Sequence, residues 1–494
     1  MKQNVIDKVV SLFSPQAGVK RATARLKLDL LRGYDGAKSS LSSSGWYAPS
    51  TDANSEISYG LIPLRNKSRD LVRNHPYARR IISTLVSNVI GDGITPSFED
   101  ENRQSLWDAW ADSTDCDADG DLNFYGLTAL AFRSSLESGE CLIRFRRRRL
   151  SDGYKIPLQL QLLEGDFLDL TKNQIKPRII NGVEFDDLGK RVAYWLYEEH
   201  PGSYYGNLKS NRVPASEVFH LFFKERPGQV RGEPRLAPVI NKLKDLDEYQ
   251  FALLFRAKVE ACLGVFITTD EEAHGTFGTP ITGDKSGGSS PIRQVEPGMI
   301  SYLKPGESVE TINPTGSSAH NDYSKQHNQA ISVGAGVTYD QLTGDLSQAN
   351  YSSLRAGKVE QRRQSSQIQW HYLIPTFCER VVKEFEKTIQ LAGLVKDNIS
   401  KVEWMPPAHE MIDPLKDTNA EILQVQAGFK TMEQAVSERG YNFKRQVKKI
   451  AENNQFLDDY GVKLSSDARS GLNNKPTEDS NKEDEEEDAK EKSK

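Results

Sequence analysis

Residues 236–333 constrain the fold more than any other part of this 494-residue chain. Leu236, Ile240, Leu243, Leu246, Leu253 and Ala257 fall on one stripe at helical spacing, with Pro234 and Pro238 near its start. They predict a helix running to about Leu263, roughly 40 Å long at the standard rise. A stripe of that length needs a partner. Residues 271–318 then fill with Gly, Ser, Thr and Pro, interrupted by short apolar pieces such as residues 299–303, and read as a small β-hairpin module. The helical pattern resumes over residues 321–333. The chain is too long for one small module, and an insertion between two helices implies several regions.

Upstream, Leu71, Ala78, Ile81, Ile82, Leu85 and Val89 recur at three and four positions, with Asn74 and Pro76 marking a cap and restart and Gly91-Asp92-Gly93 a stop. Trp107, Trp110, Leu127, Leu130 and Ala131 predict two more helices, after which residues 140–150 turn extended. Leu158, Leu160 and Leu162 alternate with polar partners, Ile180-Asn181-Gly182-Val183 carries a hairpin signal, and residues 192–197 and 218–223 are β-rich. This block is predicted to be α+β. Residues 334–348 read as an ordered loop, and residues 351–391 as a long helix kinked near Pro375. Residues 413–452 are helical throughout, with Gly428 and Gly440 as stops and Thr431 plus Gln434 as a capping box. No repeat at a fixed period is present.

The net charge of −5 is unevenly spread. Residues 1–50 carry eight Lys/Arg against three Asp; residues 471–494 carry nine acidic and five basic residues, six of the acids in the run Glu483-Asp484-Glu485-Glu486-Glu487-Asp488. Such a run buries too little apolar area to fold, so a disordered tail is expected. Without it the remaining residues sum to −1. A static DNA clamp gains affinity by displacing counterions at several phosphates; a near-neutral surface suits a conduit through which a duplex slides. Cys116, Cys141, Cys262 and Cys378 are too scattered for a zinc framework and too few for a disulfide scaffold, which fits a reducing cytosol. No apolar stretch approaches the ~20 residues of a spanning helix.

The most catalytic-looking string, Asp115-Cys116-Asp117-Ala118-Asp119-Gly120-Asp121-Leu122-Asn123, spaces its acids like a calcium loop, but Gly126 stands where a bidentate Glu is needed. A turn-forming acidic loop is expected. No phosphate-cradling Gly-Lys-Ser/Thr loop occurs, Gly334-Ala335-Gly336 lacks the third glycine of a dinucleotide fingerprint, and His409-Glu410 has no second histidine at helical spacing. No catalytic residue, metal or cofactor is expected. The run Arg144-Phe145-Arg146-Arg147-Arg148-Arg149 is the densest cationic patch. On a strand its arginines face opposite sides, which suits a solvated face or carboxylate pairing between subunits better than one DNA-facing strip. Arg355, Lys358, Arg362 and Arg363 begin the late long helix, where contact with DNA or with an acidic neighbour is an even choice.

Several strings, in order, resemble the portal proteins of lambda-like tailed phages. They are Arg73-Asn74-His75-Pro76-Tyr77-Ala78-Arg79-Arg80 through Gly91-Asp92-Gly93-Ile94, Trp107-Asp108-Ala109-Trp110 with Cys116-Asp117, and Ser138-Gly139-Glu140. Leu163-Glu164-Gly165-Asp166 follows, then the most specific stretch, Pro227-Gly228-Gln229-Val230-Arg231-Gly232-Glu233-Pro234-Arg235-Leu236-Ala237-Pro238. Gly344-Asp345-Leu346-Ser347-Gln348-Ala349-Asn350-Tyr351 and Ile412-Asp413-Pro414-Leu415-Lys416 complete the series.

The resemblance implies a non-enzymatic dodecameric ring with an α+β portal fold: an α/β wing, long stem helices, a small β-rich clip and an α-helical crown. Its parts would be a basic arm (1–55), wing (56–233), first stem helix (234–263), clip (264–318), second stem helix (319–335), tunnel loop (336–350), long kinked helix with a return to the wing (351–410), crown (411–465) and acidic tail (466–494). The loop residues Thr343, Asp345, Ser347, Gln348 and Asn350 would touch DNA loosely, with Arg355, Lys358, Arg362 and Arg363 as basic candidates on the following helix. Implied partners are further copies of the chain, double-stranded DNA without sequence specificity, the terminase large subunit, the major capsid or scaffolding protein, and a head-tail adaptor. The implied location is the portal vertex of the virion, and the host cytoplasm during assembly. Rival readings are a head-tail adaptor, usually much shorter, a packaging ATPase or nuclease, which needs phosphate-cradling glycines or a carboxylate metal cluster, and a sequence-specific DNA binder.

Overall fold

A computed structural model describes residues 50–204, 208–261, 265–268, 300–303, 319–347, 350–396, 401–408, 411, 413–462 and 464. The basic arm up to residue 49, the acidic tail and most of the Gly-rich insertion lie outside them.

Helices α1 (Ala53–Asn74) and α2 (Pro76–Ile90) meet at the expected break. His75 is extended, as a residue before proline must be, and Pro76 opens α2, where its missing N–H has no bond to lose. Strand β1 (Thr95–Phe98) leads to α3 (Glu101–Ala111) and α4 (Phe124–Ser138). The acidic loop between them closes on itself: the Asp117 carboxylate accepts from the backbone N–H groups of Asp119, Asp121 and Leu122 at 3.1, 3.1 and 3.0 Å.

A three-stranded sheet of β2 (Glu140–Arg147), β3 (Leu158–Glu164) and β8 (Val218–Phe222) runs in the order β3-β2-β8, all antiparallel. Beside it β4 (Arg178–Ile180), β5 (Val183–Phe185), β6 (Arg191–Tyr197) and β7 (Ser210–Pro214) form an antiparallel sheet in sequence order. The β4–β5 turn is the expected Asn-Gly hairpin, with φ of +50° at Asn181 and +84° at Gly182. Strand β2 separates two cores, which is why its apolar run does not alternate. Cys141 and Ile143 join the larger core of Trp107, Trp110, Phe124, Phe377 and Phe385, while Leu142 joins the smaller one of Leu168, Val183, Tyr194, Leu196 and Val213.

Helix α5 (Ile240–Ala261) follows a 3-10 turn at Ala237–Val239. Leu243 and Leu246 are buried, but further along Phe251, Leu254 and Phe255 are 71%, 53% and 62% exposed. Beyond it, β9 (Val265–Thr268) and β10 (Ile300–Leu303) pair in parallel. A parallel pair needs a connection of a dozen or more residues; the hairpin expected within 271–318 falls almost wholly outside the described residues. Helix α6 (Ala319–Ala335) comes next, and residues 334–348, read as a loop, contain a short helix α7 (Tyr339–Thr343).

The long late helix is continuous from α8 (Tyr351–Ile368) to α9 (Glu379–Leu391) through a π-helical stretch, Gln369–Cys378, that contains Pro375. The proline has no N–H to donate, and the wider π turn accommodates it. Gln369 fixes this stretch by donating to the Val89 carbonyl at 2.8 Å. Strand β11 (Val402–Met405) pairs antiparallel with β1. Last come α10 (Pro414–Gln426), α11 (Met432–Glu438) with the expected Thr431–Gln434 capping box, and α12 (Phe443–Asp459). None of these three helices contains a buried residue. Among the described residues no helix is long and apolar enough to cross a membrane.

Candidate functional site

The loop candidates from the sequence lie on a surface segment after α6 and the basic candidates on the helix that follows; a buried charge cluster at the start of β2 was not among them. In the segment, Gly336 and Gly344 have φ of +79° and +73° and bracket α7. Thr343 donates to the Tyr339 carbonyl at 2.9 Å and accepts from the Asp345 N–H at 3.2 Å. Asp345 is exposed; its carboxylate accepts from the Ser347 N–H at 3.0 Å, and hydrogen bonding by Ser347 holds its pKa below the usual value. Ser347 and Asn350 are also exposed, and the Asn350 carbonyl accepts from the Leu354 N–H in the first turn of α8. Gln348 lies outside the described residues.

The four basic candidates all sit on α8. Arg355 faces Asp417 on α10 at 3.6 Å and Arg363 faces Glu360 at 3.9 Å, so an acidic neighbour in the same chain already meets the first of them. Arg362 is half-buried and Lys358 exposed. In the run at 144–149, Arg144 faces Glu217 at 3.8 Å, Arg146 and Arg148 donate to Gln161 and Gln159, and Arg147 binds Glu384 on α9. Those contacts lie within one chain, and Arg147, Arg148 and Arg149 remain exposed, as a solvated face would have them.

Sequence reasoning missed the charge cluster. Glu140 is fully buried at the start of β2. Arg65 of α1 reaches it at 2.6 Å, His220 of β8 at 2.8 Å, and the Arg231 guanidinium binds both of its oxygens. Arg231, itself 1% exposed, also donates to the carbonyls of Gly165, Leu168 and Asn181. Burial alone would push the Glu140 carboxyl up, but Arg231 and His220 reverse this and hold it well below the usual range. Burial also drives His220 down to about 4, so the ring is neutral and its Nε2–H points at the carboxylate.

The backbones here approach so closely that only glycine fits. A Cβ on Gly139 (φ +90°) would lie 2.7 Å from the Gly232 carbonyl oxygen, a Cβ on Gly232 would collide with the Gly139 carbonyl, and one on Gly165 would lie 2.6 Å from a Glu140 oxygen. Ser138-Gly139-Glu140, Gly165-Asp166 and Arg231-Gly232 are thus parts of one object. The visible signal was a glutamate opening the apolar run Cys141-Leu142-Ile143.

Asp166, Glu164 and His200 bring ligand atoms together beside the cluster. Arg69 already bridges Glu164 (2.9 Å) and Asp166 (2.6 Å), supplying the positive charge that a cation would bring.

The comparisons point to tailed-phage assembly proteins. The chain is 28% identical to a probable portal protein of Halomonas phage phiHAP-1, aligned over 84% of each, and 22% identical to portal protein B of Escherichia phage lambda over 83% of this chain and 87% of that one. Among solved structures, the neck of an empty GTA particle matches 77% of the chain and 93% of its own, at 14% identity and a TM-score of 0.43. A family model described as phage portal protein, lambda family, matches residues 39–369. The chain belongs to that family.

Proposed function

We propose that the chain forms a dodecameric ring at one capsid vertex, whose central opening carries double-stranded DNA into the head during packaging and out during ejection. Family membership supports this reading. So does the second half of α5, where Phe251, Leu254 and Phe255 face solvent in the isolated chain. Neighbours in a closed ring supply the missing partners, because cyclic assembly uses a different face of each subunit. The body through residue 233 is then the wing, α5 and α6 the stem, 264–318 the clip, 336–350 the tunnel loop, and α10–α12 the crown. The polar tunnel loop limits backward slip of DNA. The terminase large subunit and then a head-tail adaptor dock on the ring, and the major capsid or scaffolding protein surrounds it. No step makes or breaks a bond.

Electron microscopy of the purified protein tests this directly. Annular particles with a duplex-wide hole are expected; a protein that stays a lone globule under assembly conditions, with no rings in infected cells, overturns it.

A further inference from the structure

The segment between α6 and α8 is held unevenly. Its first half is clamped: Leu342 is 3% exposed, the Gln341 carbonyl accepts from Arg80 Nε on α2 at 2.9 Å, and the Gln341 side-chain amide donates to Gln361 Oε1 on α8 at 2.6 Å. Arg80 is followed directly by Ile81 and Ile82, both fully buried in the larger core, so the clamp is anchored on that core. Its second half differs. Past the left-handed Gly344, with nothing near its Cβ position, Asp345, Leu346 and Ser347 are exposed, and the Asp345–Ser347 hydrogen bond is a bond of the turn to itself.

We propose that Arg80 and the Gln341–Gln361 pair are positioning residues that fix the direction and reach with which Asp345, Leu346 and Ser347 are presented to DNA. The inference rests on the channel-loop reading above and adds the part of the body that controls the loop. None of the three touches DNA; they act through the orientation of α7. Their hydrogen bonds lie at or near the surface, so losing one changes the population of the held orientation by about five-fold and leaves folding intact.

The test places a photoreactive residue at Ser347 in particles arrested during packaging. With the clamp intact, an adduct to DNA is expected; if none forms, the channel-loop reading itself fails. In Arg80→Ala and Gln361→Ala, rings are expected to form normally while adduct yield and retention of packaged DNA fall together by about three- to ten-fold, the range set by one or two hydrogen bonds. Arg80→Lys, which still donates to the Gln341 carbonyl, is expected to restore part of both. Unchanged yield and retention in both alanine variants, with an adduct in the parent, overturn the proposal and leave the channel-loop reading standing.

Discussion

The charge cluster at Glu140 and the seam that joins α12 to the body use the same chemistry in opposite surroundings. Around Glu140 the guanidiniums of Arg65 and Arg231 are 2% and 1% exposed, and every carboxylate oxygen is occupied. At the seam Arg445 reaches Asp108 at 3.1 Å and Lys448 reaches Glu101 at 3.3 Å, but both cations are about 60% exposed and no residue of α12 is fully buried. Solvent decides the outcome: a buried partner cannot be lost without stranding its counter-charge, whereas an exposed one is replaced by water and salt. The body is tied by buried charge pairs, whereas the pairs at the α12 seam are exposed.

The largest expected effect is at the cluster. Arg231→Ala leaves the buried Glu140 carboxylate with only Arg65 and His220, unpairs the carbonyls of Gly165, Leu168 and Asn181, and should cost about 3–5 kcal/mol in denaturant unfolding. A loss below about 1 kcal/mol would put Arg231 on the level of the seam pairs and erase the contrast.

The pH dependence sharpens it further. The folded His220 pKa is depressed to about 4 from 6.5, so between those values the unfolded chain binds a proton that the folded chain refuses. Stability is therefore lost as pH falls through that window, and the depressed Glu140 carboxyl acts in the same direction at lower pH. His220→Gln should flatten the slope between pH 6.5 and 4; an unchanged slope would assign the loss to other groups.

Between the extremes lies Asp117, whose carboxylate caps three backbone N–H groups. Asp117→Ala should lower stability by about 1–2 kcal/mol, and added calcium should not stabilise the parent if the loop is self-capped. The smallest effect belongs to the seam. A double-mutant cycle on Asp108 and Arg445 should give under about 1 kcal/mol, vanishing near 1 M salt. A salt-independent coupling would mean that α12 is more firmly seated than its exposure indicates.

Local signals were legible in the sequence wherever one residue acts on its near neighbours. Pro76 divided α1 from α2, Asn181-Gly182 turned the hairpin, and Thr431 with Gln434 capped α11. Residues 334–348 were legible as an ordered loop, but the helix α7 inside them and the Arg80 clamp were not, since Arg80 and Gln341 meet only through tertiary packing. The same holds for Glu140, Arg65 and Arg231, which come from distant parts of the chain. The arginine run gave no sign of its partners because Glu217 and Glu384 lie far along the sequence. The parallel pairing of β9 and β10 was hidden because a Gly-rich stretch carries a turn signal and no strand direction.

The contact between Gly139 and Gly232 has a geometrical corollary. Residues 232–238 lead straight into α5, a rod of 22 residues and about 33 Å. A methyl group inserted at either glycine acts as a wedge at the pivot of that rod, and a tilt of only about 5° there sweeps the far tip through about 3 Å. In the ring proposed above, so small a change repeated at every subunit would alter the width of the central opening.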